Sequence, residues 1–367
     1  MDKIRILHVV SSLGIDGGVM GVLMNYYRHI DRTKVQFDFL YFIESEKNHI
    51  EEIKKLGGEI YYLPRPSIKS YIKYKDFFKE NANTYKAVHL HEVYLNSVIL
   101  PIAKRYGIKH LITHSHATKF SDKKISAIRN KILCLPIKKQ ANIYLACSKA
   151  AGKTVYGEKY VEFGKVKVIN NAVNIDRYKY NQDVREKVRN NLKINGKFVV
   201  GHVGRFNEQK NHKFIIEIFA EIKKKKPNSL LMLIGDGPLF EHTKEKVKLF
   251  ALEDSVMFLG RKGNVQDYFQ AMDSFILPSL FEGLPVVGVE AQASGLPIIL
   301  SSDITQEIGL INYTYIGLNQ STEYWAEKVL SIGSNENRMN SYIDVVRAGF
   351  NIIQESKKLE ELYRDLI

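Results

Sequence analysis

The chain has 367 residues, of which 45% are hydrophobic and 26% are charged, with two cysteines and a formal net charge of +14. This length fits about two domains, the composition excludes an intrinsically disordered chain, and no apolar run approaches the roughly 18 residues of a membrane-spanning helix. Cys134 and Cys147 are too few for a disulfide framework, which predicts a reducing cytosol. The charge alone would suggest nucleic-acid binding, but no recognition motif accompanies it, so we expect no nucleic-acid partner.

Short β-branched runs alternate with longer amphipathic stretches along the whole chain. The strands predicted in the first half are Ile4–Val10, Val35–Phe42, Ala87–His91, His110–His114, Ile143–Cys147 and Val166–Asn170. Those predicted in the second half are Phe198–Val203, Leu230–Ile234, Val256–Leu259, Ser274–Leu277 and Pro297–Leu300. This alternation predicts an α/β fold with parallel sheets covered by helices on both faces.

A polar stretch, residues 181–197, separates the two sets of strands. We therefore predict two doubly wound, Rossmann-like domains, residues 1–180 and 181–347, followed by an amphipathic helix in residues 348–367. Ligands of such folds bind at the carboxyl ends of the strands, so a cleft where the two domains face each other is the expected site.

Positive charge is concentrated in the first half of the chain. Residues 1–180 contain 31 Lys and Arg against 16 Asp and Glu, whereas the remainder contains 23 against 24. Two segments, residues 67–79 and 119–139, mix basic residues with large apolar ones. In the second, four apolar residues recur at helical spacing: Ile125, Ile128, Ile132 and Leu135. This pattern is typical of a helix on an anionic membrane surface; a lysine-rich, solvated face above ordinary core contacts is the alternative.

A first pattern that indicates chemistry follows the predicted strand Phe198–Val203. Gly204 allows the backbone to turn, and Arg205 and Lys210 lie five residues apart in the following loop. Two cations beyond the carboxyl end of a strand suit a diphosphate, which an arginine can grip through several N–H donors. The alternative, which the spacing alone favours, is two solvated bases on a surface loop.

A second pattern lies in residues 277–297, LPSLFEGLPVVGVEAQASGLP, where a predicted strand leads into a helix opened by Pro285. Proline suits the first helical turn because its missing N–H is not needed there. Gly283 allows a ligand close to the backbone, and the N–H groups of the first turn attract a phosphate or sugar oxygen. Glu282 and Glu290 are suitable acceptors for pairs of sugar hydroxyls. An N-terminal glutamate that favours the helix dipole is the alternative.

These two motifs, inside two Rossmann-like domains, resemble the family-4 glycosyltransferases, the group 1 transferases of GT-B fold. The likeness is greatest to bacterial enzymes of capsular and exopolysaccharide synthesis and covers nearly the whole chain. The paired carboxylates in the EGLP and EAQASGLP frame are highly specific. Weaker matches lie at Gly17-Gly18, His114-Ser115-His116, Val168–Asp176, Gly235-Asp236-Gly237 and residues 359–363.

The resemblance implies a role for each matching residue. The implied catalytic set is His114, Arg205, Lys210 and Glu282. The implied donor-binding set is Gly18, Arg205, Lys210, Gly235, Glu282, Gly283, Leu284, Pro285 and Glu290. Arg205 and Lys210 would hold the donor diphosphate, Glu282 the donor-sugar hydroxyls and Glu290 the ribose hydroxyls. His114 would contact the donor sugar near its anomeric centre, and the final helix would cross back onto the N-terminal domain.

Two features of the sequence depart from the family pattern. The resemblance implies that Gly18 approaches the phosphates from the N-terminal domain. The family usually has an acidic residue two positions after this glycine, where this sequence has Met20. The usual Pro-Asn-Gly-Val-Asp pattern is replaced by residues 170–174, with Ala172 in place of the glycine. The first difference weakens an assignment of that loop to the acceptor, and the second should alter only the local geometry.

Two His-x-His pairs, His89 with His91 and His114 with His116, also suggest a metal site, because alternate residues of a strand share a face. Structural histidines with satisfied hydrogen bonds are the alternative for His89 and His91. The sequence contains no Asp-x-Asp that would hold a divalent ion on a diphosphate. We therefore expect neither a metal nor a cofactor.

The resemblance implies a metal-independent, retaining, hexosyltransferase-type enzyme that moves a sugar from a nucleotide-diphosphate donor to a lipid-linked oligosaccharide. The expected donor is a UDP-sugar, with GDP-mannose second, and the expected location is the cytoplasmic face of the cell membrane. A non-catalytic membrane-associated subunit of a polysaccharide-assembly complex and a GT-B nucleotide-sugar epimerase are the alternatives. A nicotinamide oxidoreductase is disfavoured because residues 14–18 do not form a GxGxxG turn.

Overall fold

The computed structural model describes residues 3–15, 17–121, 124–332 and 338–366. The chain divides into two compact units: unit 1 consists of Met1–Ala172 and Ile352–Ile367, and unit 2 of Val173–Asn351. Unit 1 ends at Ala172, whereas the sequence analysis placed the boundary at residue 180. The two ends of unit 2 lie side by side, because the N–H of Val173 donates to the carbonyl of Phe350 at 3.0 Å. The last helix, which follows this point, belongs to unit 1.

Unit 1 contains a parallel sheet with helices between its strands. The strands are Ile4–Val9 (β1), Val35–Tyr41 (β2), Ile60–Tyr62 (β3), Ala87–Leu90 (β4), His110–Ser115 (β5), Ile143–Ala146 (β6) and Val166–Val168 (β7). The sheet order is β3-β2-β1-β4-β5-β6-β7. The helices are Gly18–His29 (α1), Ile50–Lys55 (α2), Tyr71–Asn81 (α3), Asn96–Arg105 (α4), Lys124–Cys134 (α5), Ile137–Gln140 (α6), Lys149–Tyr156 (α7), Glu158–Glu162 (α8) and Ile352–Arg364 (α17).

Unit 2 repeats this plan with a parallel sheet of six strands. The strands are Phe198–Val203 (β8), Ser229–Ile234 (β9), Val256–Phe258 (β10), Ser274–Leu277 (β11), Ile298–Ser301 (β12) and Tyr313–Ile316 (β13), in the order β10-β9-β8-β11-β12-β13. The helices are Ile175–Tyr178 (α9), Gln182–Leu192 (α10), His212–Lys225 (α11), Phe240–Leu249 (α12), Val265–Ala271 (α13), Val286–Ala293 (α14), Thr322–Ser331 (α15) and Ser341–Arg347 (α16).

The central strands form where the sequence is apolar on both sides. Every residue of β2 and of β9 is buried, as expected of parallel strands covered by helices on both faces. The one carboxylate inside β2, Asp38, is paired with Arg5 of β1 at 2.6 Å. Helices such as α11 then cover the sheet of unit 2 with an apolar face that includes Ile215, Ile218 and Phe219.

Two strands, β3 and β13, were not predicted. Both lie at an edge of their sheet, where only one neighbour is available. Neither contains a fully buried apolar run: β3 is half-buried to exposed, and only Ile316 of β13 is buried. An edge strand is stabilised by one partner and one half-covered face, so its residues are less buried than those of a central strand.

The final helix, α17, packs within unit 1 against α1 and β2. It begins at Ile352 rather than at the predicted residue 348, after Gly349 in the left-handed region. Leu359, Leu362 and Tyr363 lie on its buried face. None of the helices in the described ranges combines the length and the hydrophobicity that a membrane span requires.

Candidate active site

The loops after β8 and β11 form the candidate donor site in unit 2. These strands are neighbours in a parallel sheet, so their carboxyl ends meet at the same edge. Two hydrogen bonds hold the loops together. The N–H of Leu280 donates to the carbonyl of Gln209 at 2.9 Å, and the amide of Asn211 donates to the carbonyl of Pro278 at 3.2 Å.

The two motifs predicted from the sequence meet at Glu282. The ammonium of Lys210 donates to Oε1 of Glu282 at 2.6 Å, and the side-chain amide of Gln209 donates to Oε2 at 3.0 Å. The Lys210 and Glu282 side chains are only 14% and 9% exposed. An ammonium has three N–H donors and each carboxylate oxygen accepts about two hydrogen bonds. With one N–H given to Glu282, the Lys210 ammonium keeps donors for an anion within the part of the chain that the structure describes.

Local hydrogen bonds place Lys210. The loop after β8 ends in a short 3₁₀ helix, Glu208–Lys210, which Asn207 caps by accepting a hydrogen bond from the Lys210 N–H at 3.2 Å. Asn211 follows in the left-handed conformation, with a φ of 56°, and precedes α11. Asparagine tolerates this conformation better than most residues, so the chain turns sharply and directs Lys210 toward the neighbouring loop.

Gly235 is required by a close approach of two backbones. It has a φ of 138°, and a Cβ atom at this position would lie 2.0 Å from the carbonyl oxygen of Gly204. The same loop, after β9, is fastened to the Arg205 loop because the N–H of Phe206 donates to the carbonyl of Asp236 at 3.0 Å. Gly235 thus supports the position of the Arg205 loop through its backbone.

Arg205 differs from Lys210 in its surroundings. Its side chain is exposed, and within the described ranges it makes no hydrogen bond or ion pair with the Lys210–Glu282 pair. The structure therefore brings Lys210 and Glu282 into contact but leaves Arg205 directed to solvent at the same strand end.

Glu290 lies in α14 and has a partner that the sequence analysis missed. The hydroxyl of Tyr178, in α9, donates to Oε1 of Glu290 at 2.6 Å. Burial raises the pKa of Glu290, an effect that the hydrogen bond from Tyr178 opposes. Burial and the nearby carboxylate also raise the pKa of Tyr178.

Helix α14 begins at Val286, so Pro285 is the residue before the helix rather than part of its first turn as predicted.

The backbone between the two carboxylates is well buried. Gly283, Leu284 and Pro285 are all buried, and Leu284 is 4% exposed. Helix α14 ends at Ala293, and Gly295 follows with a φ of 70°. The predicted frame of strand, loop and helix is therefore confirmed, with the start of the helix one residue later.

Unit 1 contains the two remaining predicted residues, Gly18 and His114. Gly18 is the first residue of α1, and a Cβ atom there would meet nothing within 4 Å. Met20, which replaces the usual acidic residue, is buried. His114 lies near the end of β5, is 4% exposed, and shares a hydrogen bond of 3.2 Å between its Nδ1 and Nε2 of His89.

His114 belongs to a group of five buried or half-buried imidazoles on β1, β4, β5 and the positions just after β4 and β5. They are His8, His89, His91, His114 and His116. Burial lowers the pKa of each one, for example of His116 to about 4 and of His8 to about 3. Two triplets bring three ring nitrogens within 4.8 Å of one another. His91 is bonded to both His8 and His116, so the two predicted His-x-His pairs belong to one cluster.

Three residues of these sites were missed by sequence reasoning. Gln209 is adjacent to Lys210 in the sequence. A side-chain amide next to a predicted phosphate ligand could have identified it as a candidate site residue. Tyr178 and His8 carried none, because Tyr178 reaches Glu290 across 112 positions and His8 reaches His91 across 83 positions. Such contacts depend on which elements pack together, and local sequence does not encode that.

Comparison with known proteins connects these features to a family. Residues 183–347 match the family model described as glycosyl transferases group 1. The chain is 33% identical over 335 residues to EpsF of Bacillus subtilis (strain 168), which carries a glycosyltransferase name, covering 89% of this chain and 86% of that protein. It is 29% identical over 302 residues to the UDP-Gal:alpha-D-GlcNAc-diphosphoundecaprenol alpha-1,3-galactosyltransferase of Escherichia coli, covering 77% and 76% of the two chains.

A solved structure shares the fold along its whole length. The crystal structure of Anabaena Alr3699/HepE in complex with UDP and glucose matches with a TM-score of 0.81 and 18% identity, covering 98% of this chain and 99% of that one. This likeness and the two parallel sheets confirm the predicted GT-B fold. With the extended identity to EpsF and the family match over unit 2, the chain belongs to the group 1 glycosyltransferases.

Proposed function

We propose that this protein is a retaining, metal-independent hexosyltransferase that transfers a sugar from a UDP-sugar to a lipid-linked saccharide in capsular or exopolysaccharide synthesis. The observation that carries the proposal is the Lys210–Glu282 pair at the edge of the unit 2 sheet. A cation beside a carboxylate matches a nucleotide-sugar, which presents a charged diphosphate next to a ring of hydroxyl groups.

The catalytic role proposed for unit 2 is electrostatic. Lys210 and Arg205 stabilise the negative charge that develops on the departing diphosphate, and Glu282 holds the sugar hydroxyls. Glu290 binds the ribose hydroxyls, steadied by Tyr178. Fixed donors of this kind act without reorganisation during the reaction, and removal of one typically costs about 10²–10³ in rate.

The proposed transfer needs no covalent enzyme intermediate. The bond from the anomeric carbon to the diphosphate oxygen breaks, and the acceptor oxygen bonds to the same carbon on the same face. The acceptor proton passes to an oxygen of the leaving phosphate. This accounts for retention of configuration. His114 and Gly18 keep the roles implied by the family resemblance, a contact near the anomeric carbon and an approach to the phosphates.

The relatives support the choice of donor and acceptor. By its name, the galactosyltransferase of Escherichia coli uses UDP-Gal and a sugar linked to a lipid diphosphate, and the HepE structure contains UDP and glucose. We therefore propose a UDP-sugar as donor, with GDP-mannose as the second choice, and a lipid diphosphate-linked saccharide as acceptor.

Helix α5 supports contact with an anionic membrane surface. Its apolar residues point outward: Ile125 is 85% exposed, Ile128 64% and Ile132 59%, whereas Asn130 and Cys134 face the interior. An amphipathic helix of a protein core has the opposite arrangement. Exposed basic residues lie around this face, namely Lys124, Arg129, Lys131, Lys138 and Lys139. Asp122 and Lys123 of the predicted segment lie outside the described residues.

Residues 67–79 add a second exposed group of this kind. Ile68 is 98% exposed and Ile72 53%, with the exposed Lys69 and Lys73 and the half-buried Lys75 among them. Apolar side chains inserted below the headgroups and lysines beside anionic lipids together give reversible membrane attachment. We propose that unit 1 binds the cytoplasmic face of the cell membrane through residues 67–79 and 119–139.

The test of the proposed function is the change in melting temperature with nucleotide, measured with EDTA present. We expect UDP to raise the melting temperature, GDP to raise it less, and ADP and NAD to leave it unchanged. A ligand that binds only the folded protein stabilises it by about 2.7 kcal/mol at 100 times its Kd. A flat response to all four would contradict the proposal, and a UDP response that EDTA abolishes would contradict its metal independence.

A further inference from the structure

The five clustered imidazoles of unit 1 form two rows of hydrogen-bonded rings. In the first row, the hydroxyl of Tyr363 lies 2.7 Å from Nδ1 of His89, and Nε2 of His89 lies 3.2 Å from Nδ1 of His114. In the second row, Nδ1 of His8 lies 3.0 Å from Nε2 of His91, and Nδ1 of His91 lies 2.8 Å from Nε2 of His116.

The two rows stack on each other. The ring centroids of His89 and His91 are 4.3 Å apart and those of His114 and His116 are 4.1 Å apart, with interplanar angles of 20° and 28°. Metal ligands direct their in-plane lone pairs at one point, whereas face-to-face rings direct theirs side by side. The arrangement is therefore that of hydrogen-bonded rows.

Protonation of one ring is opposed by its surroundings. Burial, and then the neighbouring imidazoles, lower the pKa of His89 and His114 well below its usual range. The titratable groups that face the first row are the three histidines of the second row and Tyr363. Each imidazole is therefore neutral near pH 7, with one N–H and one bare nitrogen.

Neutral rings allow only two arrangements of protons in the first row. In one, the Tyr363 hydroxyl donates to His89, His89 donates to His114, and His114 carries its hydrogen on Nε2. In the other, His114 donates to His89, His89 donates to Tyr363, and Nε2 of His114 is bare. The two arrangements make His114 either a hydrogen-bond donor or a base.

The buried Tyr363 hydroxyl decides between them. Burial raises its pKa well above the usual range, so it keeps its proton. In the described part of the chain its one hydrogen-bond partner is His89. Nε2 of His114 is buried and has no partner there. The first arrangement leaves only the His114 N–H unpaired, whereas the second leaves both the tyrosine hydrogen and the bare nitrogen unpaired.

We propose that Tyr363 and His89 are positioning residues that hold His114 as the Nε2–H tautomer, so that His114 donates a hydrogen bond to an oxygen of the substrate and does not act as a base. The hydrogen bond from His114 to the substrate rests on the proposed function, whereas the tautomer does not. The acceptor of this N–H is then a sugar hydroxyl or a phosphate oxygen of the substrate. Helix α17 thus sets the proton position of a residue 249 positions earlier through one intervening ring.

The tautomer is measured directly by long-range proton–nitrogen correlation on the full chain labelled with ¹⁵N-histidine, with His114→Gln to assign the signal. We expect His114 to carry its hydrogen on Nε2 at pH 7. In Tyr363→Phe, which removes the hydroxyl and keeps the ring, we expect a substantial Nδ1–H population. Tyr26→Phe is the matched control, because its buried hydroxyl donates to the carbonyl of Asn170, outside the rows.

Each outcome decides the proposal without reference to activity. A bare Nε2 in the wild-type protein, a tautomer unchanged in Tyr363→Phe, or a stoichiometric metal ion coordinated by His114 would overturn it. If Tyr363→Phe does not fold, the wild-type spectrum still decides the tautomer. Failure of UDP to bind would instead contradict the proposed function and leave the tautomer result standing.

A kinetic measurement extends the test to the substrate. We expect Tyr363→Phe to lower kcat/KM for the UDP-sugar about tenfold. His114→Gln, whose amide can donate from the place of Nε2, should retain more activity than His114→Ala. A wild-type kcat/KM that falls on acidification as one group becomes protonated, and that loses this dependence in His114→Gln, would indicate a base and overturn the proposal.

Discussion

The sheets of unit 1 and unit 2 place their strands in the same order on either side of the first strand. The two sheets differ in the kind of side chain at the carboxyl ends of their strands. In unit 2 this edge has a charged pair, Lys210 and Glu282. In unit 1 the corresponding edge has neutral imidazoles held by one another. The same backbone plan thus presents fixed charge in one unit and hydrogen-bonding groups without charge in the other.

The net charge of each whole unit shows the opposite trend: unit 1 is the charged unit and unit 2 is nearly neutral. Unit 1 contains 32 Lys and Arg against 19 Asp and Glu, a net charge of +13, whereas unit 2 contains 22 against 21. The exposed apolar residues of α5 also belong to unit 1. The comparison teaches that the charge of a unit as a whole and the charge of its strand ends are separate properties: unit 1 is basic outside and neutral at its strand ends.

The largest expected effect comes from removing the charge of the unit 2 edge. Lys210→Ala should lower kcat for sugar transfer about 100- to 1,000-fold, because a fixed cation no longer stabilises the departing diphosphate. Lys213→Ala, an exposed lysine on α11, is the matched control and should keep wild-type turnover. Steady-state kinetics with the UDP-sugar measures both.

Loss of the fold is a separate cause of inactivity that the same variants can exclude. The single variant removes the ammonium that neutralises Glu282, so its melting temperature should be compared with that of Lys210→Ala/Glu282→Gln, which also removes the charge of the carboxylate. A folded Lys210→Ala protein with unchanged kcat/KM would remove the central role of the pair.

The second effect concerns the outer surface of unit 1. Binding to vesicles that contain phosphatidylglycerol should weaken about tenfold or more in Ile128→Glu, because burying an isoleucine contributes about 1.5–3 kcal/mol and the added carboxylate is repelled by anionic lipids. Leu249→Glu, an 81% exposed leucine of unit 2, is the control. Co-sedimentation measures the binding, and equal attachment to neutral and anionic vesicles would contradict the proposed surface.

The third effect is the response of stability to acid. The folded-state pKa of His8 is lowered to about 3 and that of His116 to about 4, below the unfolded value near 6.5. Between these values the unfolded chain binds protons that the folded chain does not. The free energy of unfolding should therefore fall as the pH drops from about 6.5 to about 4, by up to about 1.4 kcal/mol per pH unit for each such histidine.

Variants locate this acid response within unit 1. His8→Gln should flatten the dependence of the unfolding free energy on pH between 6.5 and 4, as measured by urea unfolding. His242→Gln should leave the dependence as it is in the wild type, because the His242 side chain is 77% exposed. A slope that is the same in all three proteins would refute the assignment to the buried cluster.

Sequence reasoning predicted the fold and the unit 2 motifs well because both are encoded locally. The apolar runs of β1, β2, β8 and β9 identify central parallel strands in any context. Residues 281–295 contain their own turn, helix start and helix end, so that Glu282 and Glu290 were found as a pair. The edge strands β3 and β13 were missed, whereas the edge strands β7 and β10 were predicted, so a position at the edge does not by itself hide a strand.

The hydrogen-bond partners of the motif residues could not be predicted from the sequence. Gln209 and Lys210 reach Glu282 across more than 70 positions, and Tyr178 reaches Glu290 across 112. The predicted helical pattern in residues 119–139 was real, but only the structure shows that Ile128 and Ile132 face outward. A helical repeat of apolar residues defines a face without saying what that face contacts.

The sequence by itself determined the class of this protein: two parallel α/β units, a basic first half, and a group 1 motif with its cations and carboxylates in the right order. Tertiary structure decided which of those groups touch, that Lys210 is paired, that α17 belongs to unit 1, and that Tyr363 stands behind His89 and His114. The physical reason is one of range. Strand and helix periodicity act over a few residues, whereas hydrogen bonds and proton positions in a buried site depend on chain segments brought together only by folding.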